Sequence, residues 1–256
     1  MTTGGVPITN QTFGSVDGTP PSVLAPVIAG SEWEPGFVDF IGGGATGNGL
    51  GMQLVPGMQS IPFNDVDLLY LAFSEGITNP LTEHFELRDS DGVIPFTLTY
   101  DAATFVATLA LDGPLGPGKY RLAASDALTD DSGSFLDGDG NGAPGGVFDI
   151  RFDVVPADAD GNLRVNGSDL SVFASSFNGQ IGQAAYDPRA DWNADGRVNG
   201  SDLAAFATFF NVNITGLDEP GSPFGGTGPN RFGSAPHDDF FKGLGEKEED
   251  DPLVLM

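Results

Sequence analysis

The stretch RVNGSDLSVFASSFN at 164–178 returns 33 residues later as RVNGSDLAAFATFFN at 197–211, with 11 of 15 positions identical. Self-similarity at a fixed period marks one supersecondary unit used twice. In each copy the apolar residues Leu170, Phe173, Ala174 and Phe177, and likewise Leu203, Phe206, Ala207 and Phe210, fall at helical i, i+3, i+4, i+7 spacing behind a polar start. The pattern predicts a polar loop feeding a short amphipathic helix, twice. Phe173, Phe177, Phe206 and Phe210 are expected to pack between the two helices.

The loops carry the chemistry. Counting back from Asp202 as position 12, the second loop places Asp191 at 1, Asn193 at 3, Asp195 at 5, Gly196 at 6, the Arg197 carbonyl at 7 and Asn199 at 9. This is the ligand spacing of an EF-hand-type calcium loop, in which alternate oxygens turn inward and glycine at position 6 permits a sharp bend. The first loop repeats the donors with Asp158, Asp160, Asn162, the Arg164 carbonyl, Asn166 and Asp169. It carries Leu163 at position 6, where a left-handed backbone costs about 1–2 kcal/mol, so a weaker or slightly distorted first site is expected. Asp, Asn and Gly strings also mark plain solvated turns, but composition poorly explains matching donors at positions 1, 3, 5, 9 and 12 of both copies. Two Ca²⁺ ions would neutralise six mutually repelling carboxylates and so couple binding to folding. Asp137, Asp139 and Asn141 repeat the first half of such a loop, but position 12 falls on Phe148. That segment is either a weak third calcium site or a polar hairpin loop.

Charge excludes some partners. Ten Lys and Arg against 36 Asp and Glu give a net charge of −26, and the resulting field repels phosphate, so no nucleic-acid binding is expected. No run approaches the roughly 18 apolar residues of a membrane helix, so no membrane insertion is expected. The opening MTTGGVPITN lacks the basic start and apolar centre of a signal peptide. With no cysteine there is no disulfide framework, and the abundant carboxylates point to divalent cations as the alternative staple.

Short apolar runs at 23–28, 66–73, 84–87, 94–100, 105–111, 119–123 and 147–154 alternate with Gly and Asp turn signals and read as strands. FTLTY at 96–100 and FDIRF at 148–152 alternate with period two, which suits antiparallel sheets with one wet face. A helical turn is expected near 31–37, with Ser31 as N-cap and Glu34 at the third helical position. The division expected is a flexible leader at 1–19, a β-sandwich at 20–155, the calcium-loop unit at 156–212 and an acidic, largely disordered tail at 213–256. Within the tail, 237–244 is the one candidate for a transient helix, with Phe240 and Phe241 as partner contacts.

Other motifs have plainer readings. The GGGATG string at 42–47 formally contains GxGxxG, but Gly49, Gly51 and Pro56 follow where a phosphate-holding helix must start, so it reads as a flexible loop. His84 between Glu83 and Glu86 reads as a strand-surface histidine, since no GxSxG or cysteine nucleophile accompanies it. Trp192, at loop position 2, reads as a cover over the helix pair.

Paired Dx[DN]x[DN]-to-Asp loops, each followed by an FxxxF helix and closed by Asp rather than Glu, resemble the dockerin type I domain. FDVVP at 152–156 is strand then proline, and Pro188 crowds the approach to the second loop, so neither loop has the entering helix of a true EF-hand; this agrees with dockerins. The resemblance implies an extracellular calcium-dependent module that attaches secreted proteins to a cohesin-like partner. Recognition in the family sits on the helices and at loop positions 10 and 11, which here are Gly167, Ser168, Gly200 and Ser201. Glycine at position 10 departs from the hydroxyl often found there, so docking and purely structural calcium binding both stay open.

The preceding region, through VDLLYLAFSE at 66–75, YDAAT at 100–104, GKYRL at 118–122 and LDGDGNG at 136–142, resembles bacterial Ig-like modules beside dockerin repeats in large secreted, planctomycete-type proteins. The fold expected is therefore mainly β with a small α module, an Ig-like β-sandwich followed by a dockerin-like pair of calcium loop-helix (F-hand) motifs. The function implied is a non-catalytic extracellular docking or structural module. The alternative is the C-terminal accessory part of a secreted polysaccharide-degrading enzyme, a glycoside hydrolase whose catalytic domain lies outside this chain. Oligomeric state is not legible.

Overall fold

Strand formation follows the alternation. In the computed structural model, which describes residues 18–42, 49–57, 60–78 and 80–225, LLYLAF forms β3 (Leu68–Phe73), with Leu69, Leu71 and Phe73 buried and their neighbours half-buried. Around it one antiparallel sheet is built from β1 (Val23–Ala29), β2 (Met52–Gln53), β6 (Thr97–Asp101) and β7 (Val106–Ala110), in the order β2-β1-β3-β7-β6. The second sheet runs β5-β4-β8-β9, from β5 (Val93–Ile94), β4 (Phe85–Arg88), β8 (Gly118–Ala124) and β9 (Phe148–Val154). Leu69, Leu71 and Leu109 of the first sheet share one core with Leu87, Leu122, Ile150 and Phe152 of the second. Each such fully buried side chain contributes about 1.5–3 kcal/mol relative to exposure.

Two local expectations are corrected. The run at 94–100 is not one strand: Val93 and Ile94 pair with β4, whereas residues from Thr97 on pair with β7 in the other sheet. Pro95 has no N–H to give a ladder, so pairing stops there and the chain changes sheets. The helix begins later than expected. It is α1 (Pro35–Gly42), with proline in the first turn, where a missing N–H costs nothing. Ser31 does not cap it; its N–H and hydroxyl donate to the Asp67 carboxylate at 2.7 and 2.6 Å. Because FVDFI at 37–41 is helical, the glycine string that follows also lacks the preceding strand of a dinucleotide fold. Most of that string, the leader through residue 17, and the tail from 226, including its helix candidate, lie outside the described residues.

A second core cluster gathers Val155, Ala157, Val165, Phe173, Trp192, Val198, Phe206 and Ile214 under α2 (Gly167–Ser176) and α3 (Gly200–Phe209). It is joined to the sheets by backbone hydrogen bonds. Ile61 N–H donates to the Asp153 carbonyl, Val155 N–H to Ile61 and Ala157 N–H to Pro62, so 61–62 runs along the end of β9 and its continuation. The described residues through Phe224 form one unit.

The tail was expected to begin at 213, and the structure corrects this as well. Ile214 is buried, Glu219 pairs with Lys119 and Arg151, and the Gly221 and Ser222 carbonyls accept from Arg121 and Arg88. The segment therefore straps across the polar face of the second sheet. Isolated surface cations and a glutamate at 219 give no sequence signal for that pairing, which spans about a hundred residues.

Candidate metal centre

The duplication is reproduced in the backbone N–H groups that the position-1 and position-12 aspartates accept from. In the first loop Asp158 Oδ1 accepts from Asn162 N–H and its Oδ2 from Leu163 N–H, while Asp169 accepts from Asp160 N–H and Asn166 N–H. In the second loop Asp191 accepts from Asp195 and Gly196 N–H, and Asp202 from Asn193 and Asn199 N–H. The position-12 aspartates thus serve the loop and also close a capping box, with Asn166 and Asn199 as N-caps of α2 and α3. The two Asn side chains accept from Ser168 and Ser201 N–H, an engagement compatible with reaching an ion through water, as position 9 often does. The Arg164 and Arg197 side chains are exposed, as carbonyl donors at position 7 require.

Each repeat's exit segment pairs with the other repeat's loop. Asn178 N–H donates to Val198 and Ile181 N–H to Gly196; 33 residues on, Asn211 N–H donates to Val165 and Ile214 N–H to Leu163. Trp192 lies between Phe173 and Phe206, its ring centroid 5.5 Å from each and nearly parallel to both. It does cover the helix pair.

The burial of the helices is rotated from expectation. Phe173 and Phe206 are 5% and 6% exposed, but Phe177 and Phe210 are 48% and 51% exposed, and Leu170, Ala174, Leu203 and Ala207 also face solvent. The inward stripe is Asp169, Phe173 and Ser176, and in α3 Asp202 and Phe206. Position-12 aspartate must point into its loop, which turns the leucine beside it outward. Gly167, Ser168, Gly200 and Ser201 are exposed at the same helix starts.

Asp158, Asp169, Asp191 and Asp202 are almost completely buried, and none of the ion pairs among the described residues reaches them. Carboxylate oxygens of Asp158, Asp160 and Asp169 lie within 4.8 Å of one another. Burial pushes Asp158 up to about 6, with Asp169 adding repulsion and the Leu163 and Asn162 N–H groups opposing. Burial pushes Asp191 up to about 7, opposed by the Tyr186 hydroxyl and reinforced by Asp202 and Asp195. Asp169 and Asp202 are raised by burial too. Anions withdrawn from water without a counter-charge are costly. The donor set of carboxylate, amide and backbone oxygens fits a hard divalent cation.

Sequence reasoning missed two hydroxyls that bear on these carboxylates. Tyr186 O–H donates to Asp191 Oδ2 at 2.6 Å. Ser60 lies close enough to Asp158 to favour its ionised form, although its buried oxygen makes no well-formed hydrogen bond. Neither belongs to the repeat, and Ser60 is nearly a hundred residues from its carboxylate, so periodicity could not reveal them. At the partial motif, Asp137 accepts from Asn141 and Gly142 N–H as the other position-1 aspartates do, but Phe148 stands in β9 where a closing acid is needed.

Residues 156–211 match the family described as Dockerin type I domain, a non-catalytic docking domain. No curated protein matches the chain. Among solved structures, CopC from Methylosinus trichosporium OB3b is similar at 16% identity over 38% of this chain and 83% of its own, with a TM-score of 0.27. PcoC, a methionine-rich copper resistance protein from Escherichia coli, is similar at 15% identity over 38% of this chain and 88% of its own, with a TM-score of 0.25. An N-terminal interface mutant of a type II cohesin–X–dockerin complex from Acetivibrio cellulolyticus gives 13% identity over 51% of this chain and 83% of its own, with a TM-score of 0.23.

Proposed function

We propose that this protein is a non-catalytic calcium-dependent docking module, in which two Ca²⁺ ions hold residues 156–212 in a form that presents α2 and α3 to a cohesin-like domain. The observation that carries the reading is the four buried carboxylates, two per loop, without a cationic partner among the described residues. Asp158, Asp160, Asn162, Asn166 and Asp169, with the Arg164 carbonyl, would hold one ion. Asp191, Asn193, Asp195, Asn199 and Asp202, with the Arg197 carbonyl, would hold the other. The ions would supply the positive charge that lets the carboxylates stay ionised while buried.

Support for docking comes from the dockerin match and from an exposed apolar face that the duplication makes twice. Leu170 on α2 and Leu203 on α3 are exposed, as are Phe177 and Phe210 at the C-terminal caps of the two helices and Gly167, Ser168, Gly200 and Ser201 at their starts. Exposed apolar side chains in a matched pair of patches mark interaction surfaces rather than scattered exposure. The β-region at 20–155 takes the role of an Ig-like spacer, and millimolar extracellular calcium would fill even a weak site. Calorimetric titration of the calcium-free chain tests the reading: two ions bound per chain support it, and no heat of binding overturns it.

A further inference from the structure

The two position-1 carboxylates are not held alike. Asp158 Oδ2 takes the Leu163 N–H, with the Ser60 hydroxyl near the carboxylate but in no well-formed hydrogen bond, whereas Asp191 Oδ2 has two donors, the Gly196 N–H and the Tyr186 phenol. Asp191 Oδ1 takes only the Asp195 N–H, so it is the oxygen with a lone pair to spare. A carboxylate pinned at one oxygen by two donors cannot turn to offer that oxygen instead.

The phenol is itself held from the β-region. The ring of Phe40, on α1, meets the Tyr186 ring edge-on at 5.5 Å. Two backbone hydrogen bonds run in parallel with this contact, Glu34 N–H to the Ala194 carbonyl and Asn64 N–H to the Trp192 carbonyl, both at 3.0 Å. Ala194 belongs to the core of the sheets rather than to the cluster under the helices. Positions 2 and 4 of the second loop are therefore seated on the β-region, and position 1 is reached from it through Tyr186.

We propose that Tyr186 is a positioning residue for the second calcium loop, fixing which Asp191 oxygen faces the ion and, through Phe40, making that loop's affinity depend on α1 of the β-region. The inference rests on reading the loops as calcium sites. Hydrogen-bond partners that orient metal ligands typically cost about 10- to 100-fold in affinity when removed.

The test is calcium titration of the full chain by calorimetry, on wild type, Tyr186→Phe and Phe40→Ala, with tyrosine difference absorbance recorded alongside. Tyr186→Phe keeps the ring, so the fold persists by circular dichroism; one of the two sites weakens by about 10- to 100-fold, the other far less. In wild type the tyrosine absorbance shifts as calcium binds, because the phenol is bonded to a ligand of the ion; a purely packing role of the ring leaves both affinities of Tyr186→Phe unchanged, since phenylalanine keeps the ring. Phe40→Ala shifts the same site in the same direction by a smaller factor. Two unchanged sites in Tyr186→Phe, or equal weakening of both, overturn the inference while leaving calcium binding intact. A wild-type chain that binds no calcium overturns both.

Discussion

Leu163 and Gly196 stand at equivalent points of the two loops with φ of 66° and 82°, so a leucine holds in one copy the left-handed backbone that the other gives to glycine. The hydrogen-bond pattern of the first loop is not distorted by it; strain is retained instead. A side chain in this region costs about 1–2 kcal/mol. Gly196→Ala is therefore expected to lower stability by about that amount, since the new Cβ would meet only the flexible Ile181 Cδ1 at 3.2 Å. Leu163→Gly is not the mirror image, because Leu163 packs on the second core cluster and a glycine also frees the unfolded chain. It is expected to bring little or no gain. Denaturant unfolding in saturating calcium measures both.

The duplicated phenylalanines separate stability from docking. Phe206→Ala is expected to cost about 3–5 kcal/mol, because the ring stacks on Trp192 inside the cluster. Phe210→Ala, half exposed but with its ring 5.5 Å from that of Phe206, is expected to cost only about 1 kcal/mol while weakening capture of a cohesin-like partner. Chemical unfolding and a binding titration on the same samples distinguish the two effects.

The pH dependence follows from carboxylates raised by burial. Folded Asp158 titrates near 6 and Asp191 near 7, above the unfolded value of 3.8, so without calcium the folded chain binds more protons than the unfolded one between about pH 4 and 7. Calcium-free stability should fall as pH rises through that window. Asp153, also pushed up to about 7 by burial and by Glu219, contributes in the same direction whether or not calcium is present. The difference in unfolding temperature between calcium-loaded and calcium-free protein isolates the loops. It is expected to be small at pH 5 and to grow toward pH 7.5, as protons cease to compete with the metal.

Arg121 joins the strap to the second sheet. Its side chain is 5% exposed, forms a two-pronged pair with Asp149 and donates to the Gly221 carbonyl. Arg121→Ala leaves the Asp149 charge without its partner and is expected to cost about 3–5 kcal/mol, read by thermal unfolding. Protease exposure of the segment ending at Phe224 should rise with it.

The loops were legible because every proposed ligand lies within one short stretch, and the repeat states each donor position twice. Trp192 was legible for a related reason, since its place at loop position 2 puts it beside the helices that follow. The helix faces were misread because hydrophobic spacing alone does not say which side meets the core. In these helices the orientation is set by Asp169 and Asp202, which must turn inward. Most strand positions followed from short apolar runs between turn signals; the two-residue β2 left no such run, and at Pro95 the chain moves between sheets. The links among Ser60, Tyr186, Phe40 and the loops, and those between the strap and Arg88 or Arg121, are tertiary and leave no periodic mark in the sequence.

The most direct measurement is the unfolding midpoint and helicity of the full chain before and after calcium is removed by a chelator at neutral pH. At calcium a hundredfold above the dissociation constant, each filled site stabilises the fold by about 2.7 kcal/mol, so chelation is expected to lower the midpoint and reduce the helical signal of α2 and α3. A midpoint and helicity that chelation leaves unchanged would contradict the account.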